Sequence, residues 1–181
     1  MTRQADLLGS LADHLLEQGL GEMSLRPMAA SVGSTARMLI YHFNSKDELL
    51  RRVLAELRKR QGQILERWKE PAGHDFPESF WSWISSRRLE SHARLWIDLH
   101  TIRLSSHGEI ATEVRRALVE WNEAVEGSLL AAGWSRVRAR TAATLLLSTY
   151  RGLLMDLHAN GDRARLNAAA HEFAKWWRRA D

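Results

Sequence analysis

The stretch STARMLIYHFNSKDELL, residues 34–50, sets Arg37, Met38, Tyr41, His42 and Lys46 among apolar residues. At about 100° per residue of helix, Ala36, Leu39 and Phe43 share one face, whereas Ser34, Arg37, Met38 and Tyr41 point the other way. These are groups suited to touching a nucleic-acid duplex. An arginine can fork onto guanine, a methionine can pack on a thymine methyl, and a tyrosine hydroxyl can bond a phosphate or a base. His42 and Lys46 flank the start of the following helix, where free N–H groups and the helix dipole favour a phosphate. Ser34 and Thr35, at the start of the segment, complete the candidate set. The plainer alternative is a tight helix pair that binds nothing, with His42 at a core edge and Lys46 as a capping-turn charge.

Other chemistries lack their residues. Without cysteine there is no disulfide, thiolate nucleophile or Cys-ligated zinc, as suits a reducing cytoplasm. No H-E-x-x-H occurs, and no Glu is followed by His three residues on, so helical zinc and di-iron sites lack their ligands. Neither a G-x-S-x-G elbow nor a glycine-rich phosphate loop is present. His158 and His171 stand apart in the sequence. An enzyme, a metal site and a cofactor are therefore not expected. The net charge of +4 and pI of about 9.9 suit an anionic partner without demanding one. No apolar run approaches the roughly 18 residues needed to span a bilayer. The opening MTRQADLLGSLADHLLEQG carries acidic residues where a signal peptide needs an apolar core, so a soluble cytoplasmic protein with no membrane contact is expected.

Positioning the candidates falls to helices, since nothing alternates with period two. The first is expected from about Thr2 to Gln18, stopping at Gly19. A second opens on Ser24 and ends at Gly33; a short third runs from about Thr35 to His42. Ser45 and Glu48 read as a reciprocal capping box opening a long fourth helix, which EPAG breaks after Trp68. Asp75 with Glu78, Ser91, Ser135 and Asp162 mark later starts. Ile110, Val114, Leu118, Trp121, Val125 and Leu129 form an amphipathic stripe up to Gly133. All eight tryptophans lie at or beyond position 68. The chain thus reads as all-α, with about nine helices: a small three-helix unit over residues 1–46 and a larger helical body over 47–181.

MAASVGSTARMLIYHF is two helices about a Gly-containing turn, the helix-turn-helix pattern whose second helix can lie in a major groove. SLRPMAASVGSTARMLIYHFNSKDELL resembles the N-terminal domain of the TetR family of bacterial transcriptional regulators. Leu39, His42, Phe43, Lys46 and Leu49 fall on family positions. Two residues depart from the pattern. Ile40 stands where many members carry a Tyr that touches the DNA backbone, with Tyr41 beside it, and Ser34 stands where a small apolar residue is usual. The resemblance implies a homodimer joined through its last two helices, a palindromic double-stranded operator, and repression relieved by a small-molecule effector. The residues themselves support the dimer in part, because TLLLSTYRGLLMDL holds more apolar residues than one core face needs.

Trp96, His100 and Arg103 recur at steps of four and three and so share a helix face. With Trp121, Tyr150 and Met155 they are the candidates for lining an effector site, and such a mixed face would suit an aromatic or carboxylate-bearing ligand. Core packing explains each of them singly as well. A helical ligand carrier or protein-binding adaptor is the competing function, but it has no need of Arg37, Met38 and Tyr41 exposed together.

Overall fold

The structure is a computed structural model that describes residues 3–19, 24–68, 75–105 and 108–179, apart from the side chains of 67, 102–105, 178 and 179. Among the described residues the chain is all-α, with helices α1 (Arg3–Gln18), α2 (Leu25–Ser31), α3 (Ala36–Phe43), α4 (Lys46–Arg67), α5 (Phe76–Ile84), α6 (Glu90–Ser105), α7 (Gly108–Ala131), α8 (Arg136–Asn160) and α9 (Arg163–Arg179). By its internal contacts the chain falls into two compact units, Met1–Ile64 with Asp98–Leu118, and Leu65–Ile97 with Val119–Asp181.

In the first unit α1 packs on α2 and α2 on α3. Leu11, Leu15, Met28, Leu39, Phe43 and Leu49 are its buried centre, the residues of successive short helices that recur at steps of three and four. The second unit is an aromatic core. Phe80 lies 6.1 Å from Tyr150 and 6.5 Å from Trp121, and Trp81 lies 5.4 Å from Tyr150. Trp177 is buried against Trp134 at 5.3 Å, whereas its neighbour Trp176 is exposed.

Helix ends follow the capping residues closely. Ser135 Oγ accepts from Arg138 N–H, Asp162 Oδ1 accepts from Arg165 N–H, and Gly161 closes α8 at φ 72°. Ser91 is the exception. The chain turns helical earlier, through a 3-10 turn at Arg87–Leu89 that leads directly into Glu90, so Ser91 lies inside α6 rather than capping it.

Tyr150 is fully buried and its hydroxyl donates to the Pro77 carbonyl at 2.6 Å, tying α8 to the first turn of α5. Burial, followed by the charge of Glu78, pushes this hydroxyl well above the ordinary tyrosine range, which keeps it a neutral donor. Tyr150→Phe should therefore lower stability by about 1 kcal/mol, the net worth of one such bond, as read from urea denaturation midpoints.

Candidate nucleic-acid interface

α3 is pinned at both ends. Gly33, at φ 61°, reverses the chain after α2, with Gly33 N–H on the Ala30 carbonyl at 3.1 Å and Ser34 N–H on the Ala29 carbonyl at 2.8 Å. This pair of bonds is a Schellman closure. Thr35 then caps α3, its Oγ1 accepting from Met38 N–H at 3.2 Å. At the far end Asn44 takes φ 67°, its N–H on the Ile40 carbonyl at 2.7 Å, and Ser45 N–H reaches back to the Phe43 carbonyl at 2.9 Å. Asparagine tolerates this left-handed backbone better than most residues, and the turn lets α4 begin two residues later. The Gln4 side-chain amide donates to the His42 carbonyl, tying α1 to the same end.

Between these pins the rotation of α3 is set by Leu39 and Phe43, both fully buried. Arg37 and Met38 consequently face solvent, and Tyr41 is 76% exposed. Ser34 and His42 are half-buried at the margin, with the His42 ring edge-on to Tyr41 at 5.4 Å. Ile40 is half-buried too, whereas Lys46, the first residue of α4, is exposed.

The capping box forms by half. Ser45 Oγ accepts from Glu48 N–H at 3.1 Å, but Ser45 N–H is already taken by Phe43. The Glu48 carboxylate turns away to Arg51, at 2.7 Å to both Nε and Nη2, and to Arg52 Nε at 2.6 Å. Two guanidinium groups one turn on outcompete a single backbone N–H, because charge-assisted bonds are about twice as strong as neutral ones. Hydrogen bonds from Arg51, then Arg52, hold the Glu48 carboxyl at about 2, well below the usual carboxylate range. Arg51 also meets Glu109 at 3.3 Å, while the buried Glu113 takes Arg116 at 2.7 Å and Arg58 at 3.4 Å. By contrast Arg26, Arg37 and Lys46 are exposed and make no hydrogen bond or ion pair with any described residue. Arg26 was not foreseen, although its place in the first turn of α2 was legible.

The effector candidates separate. Trp96 and Trp121 are buried and stacked at 5.0 Å, and Tyr150 lies in the same aromatic core. Met155 is on the exposed side of α8. His100 is half-buried and belongs to the other unit, and the Arg103 side chain lies outside the described residues. Arg151, not foreseen, stacks its guanidinium over Trp96 at 4.9 Å. The available signal was a charge between Leu147 and Leu154 on an otherwise apolar face. Among the described residues no group of three or more His, Asp or Glu could hold a metal ion, and no helix is long and apolar enough to cross a membrane.

Residues 78–172, just over half of the chain, match the family model described as the transcriptional regulator LmrA/YxaF-like C-terminal domain of the TetR type. The chain belongs to the TetR family. None of the curated proteins compared with this TetR-family chain matches it. Solved structures share the fold across both units. A TetR regulator from Legionella pneumophila is 16% identical, with a TM-score of 0.76 over 97% of either chain. A transcriptional regulator from Rhodococcus sp. Rha1 is 21% identical, with a TM-score of 0.75 over 97% of this chain and 95% of that one. A regulator from Saccharomonospora viridis, solved in complex with choline, is 13% identical with a TM-score of 0.68 over 95% of each. The protein is thus a TetR-family transcriptional regulator by family and fold, with a helix-turn-helix at α2–α3.

The Glu48 cluster makes a pH-dependent contribution to the first unit. The folded carboxyl titrates below its unfolded value, so its stabilisation is present above pH 4.5 and is lost as the pH falls towards 2. Because the pair is partly open to water, Glu48→Gln should cost only about 1 kcal/mol at neutral pH. The gap between wild type and variant should close as acid denaturation series pass through that window.

Proposed function

We propose that the protein is a homodimeric, cytoplasmic, DNA-binding repressor in which α3 reads one half of a palindromic operator. Residues 1–46 form the reading domain and 47–181 the dimerisation and effector domain. The observation that carries this reading is the outward face of α3. Arg37, Met38 and Tyr41 are exposed on a helix fixed at both ends, and Arg37 and Lys46 are charges that the described residues leave unpaired. Arg37 and Met38 touch base edges, and Tyr41 takes a phosphate or base. Ser34, Thr35, His42 and Lys46 hold the backbone, with Lys46 beside the first N–H groups of α4. The tight turn at Asn44 sets α3 and the phosphate-binding start of α4 next to each other.

Dimerisation is supported by a face that none of the described residues covers. Val137, Thr141, Leu145, Ser148, Gly152 and Met155 recur at steps of three and four along α8, and all are exposed, Leu145 by 57%. On α9, Ala168, Ala169 and Trp176 are exposed in the same way, Trp176 by 69%. A second copy about a two-fold axis would cover both helices with the same surface. A small-molecule effector is supported by the aromatic second unit and by the choline complex of the Saccharomonospora viridis protein. Trp96, Trp121 and Tyr150, which lie together in that aromatic core, are the proposed effector contacts.

Two sets of substitutions test the reading. Lys46→Ala should weaken binding to every duplex alike and reduce the salt slope by about one. Arg37→Ala should relax preference at one operator position at a cost of about 1–3 kcal/mol. Equal losses on operator and random duplex for Arg37→Ala, measured by fluorescence anisotropy, would remove its base-reading role. For the dimer, Leu145→Arg should shift sedimentation equilibrium towards monomer by about tenfold or more, since it places a charge in the middle of the joined faces. An unchanged dimer would move the interface elsewhere.

A further inference from the structure

Several arginines spend their charge within the chain, and others stand exposed to water. Arg51, Arg52, Arg58, Arg60, Arg116 and Arg165 all meet carboxylates, and Arg163 Nη1 donates to the Ser85 carbonyl at 2.7 Å. Arg151 differs. Its guanidinium lies flat against Trp96, which is itself stacked on Trp121, so water is excluded from one side. Its Nε is buried without a hydrogen-bond partner, and no described residue gives the group a carboxylate or any other acceptor. Burial lowers the Arg151 pKa, yet an arginine remains charged. A half-withdrawn cation with its donors unspent is costly unless an anion completes it.

Neither Arg151 nor Trp96 is on the lining of a cleft, but residues one turn away on the same two helices are. A cleft of about 310 Å³ opens in the second unit, walled by Ile84, Ala93, Leu154 and Leu157, with Glu90 and His158 also on its lining. Ala93 and Leu154 are three residues from Trp96 and Arg151 along α6 and α8 respectively, less than one helical turn. The volume matches the small end of ligand sites. Of the polar groups on the lining, His158 Nδ1 bonds the Leu154 carbonyl at 2.8 Å, Glu90 is a carboxylate, and Arg163, with one donor on the Ser85 carbonyl at 2.7 Å, is a second cation within the cleft.

We infer that this cleft and Arg151 together form a site for a small organic monocarboxylate, its apolar body along Ala93 and Leu154 and its carboxylate forked onto the Arg151 guanidinium. Glu90 disfavours a dianion. A quaternary ammonium is disfavoured over the Trp96 ring because Arg151 already occupies the position a cation would take. The inference rests on the reading of the chain as an effector-responsive regulator only for the consequence of binding, not for binding itself.

The test uses the full chain without DNA. Benzoate, its neutral counterpart benzamide, and choline are titrated separately, with binding followed by tryptophan fluorescence and by calorimetry. Benzoate should quench saturably and bind at least about tenfold tighter than either control, the value of a charge-assisted pair. Arg151→Gln should remove that advantage and leave benzamide unchanged; Arg151→Lys should keep part of it. Equal affinity for benzoate and benzamide, benzoate binding unchanged in Arg151→Gln, or no saturation up to about 10 mM would each overturn the site. If Arg151→Gln fails to fold, Arg163→Gln decides: it should leave the benzoate advantage in place, and loss of that advantage would move the carboxylate to Arg163 and overturn the site. A variant that loses dimer affinity while benzoate binding persists would assign Arg151 to a carboxylate of the second copy and overturn the proposal. Operator affinity is then measured with benzoate bound. A change supports the regulatory role, and no change contradicts that role while leaving the site intact.

Discussion

Leu39 and Phe43 lie four residues apart on an eight-residue helix, and both are fully buried. A helix this short has little stability of its own, so its rotation about its axis is set by what it buries. Burying those two leaves one orientation for everything else. Arg37, Met38 and Tyr41 then point outward together. The Schellman closure at Gly33, the Thr35 cap and the Asn44 turn fix the remaining freedom, its start and its end. The outward face is preorganised in this sense: the chain orders it before any partner arrives, which lowers the entropic cost of recognition.

Charge is distributed around this face in two ways. Along α4, Glu48 gathers Arg51 and Arg52, while Arg51 and Arg58 reach Glu109 and Glu113 of α7 within the same unit. These pairs neutralise one another and serve packing. Arg26, Arg37 and Lys46 have no such engagement with the described residues. A chain of modest net charge can therefore present a local cationic surface, because Glu48, Glu109 and Glu113 are engaged by other arginines.

Much of this was legible in residue types and spacing. The helix ends at Gly19, Gly33, Ser135, Gly161 and Asp162 follow from capping chemistry, which is local and therefore readable. The division of α3 into a buried and an exposed face follows from the helical period alone. The failures share a cause in competition that spacing does not display. Glu48 forsakes the Ser45 N–H for two arginines, and a 3-10 turn starts α6 ahead of Ser91. Trp176 and Trp177 are adjacent and chemically alike, yet only the second finds Trp134 and Phe173. Arg151 escaped notice because its meaning depends on Trp96, 55 positions away in the sequence, and on the absence of a carboxylate among its described neighbours.

The most direct measurement is selection of the purified protein against a randomised duplex library, at low and at physiological salt. The account predicts enrichment of a palindrome with half-sites about one helical turn apart, or a multiple of it, surviving the higher salt. Sequence-blind binding that disappears as salt rises would mean that charge alone holds the duplex, and would contradict a reading role for α3.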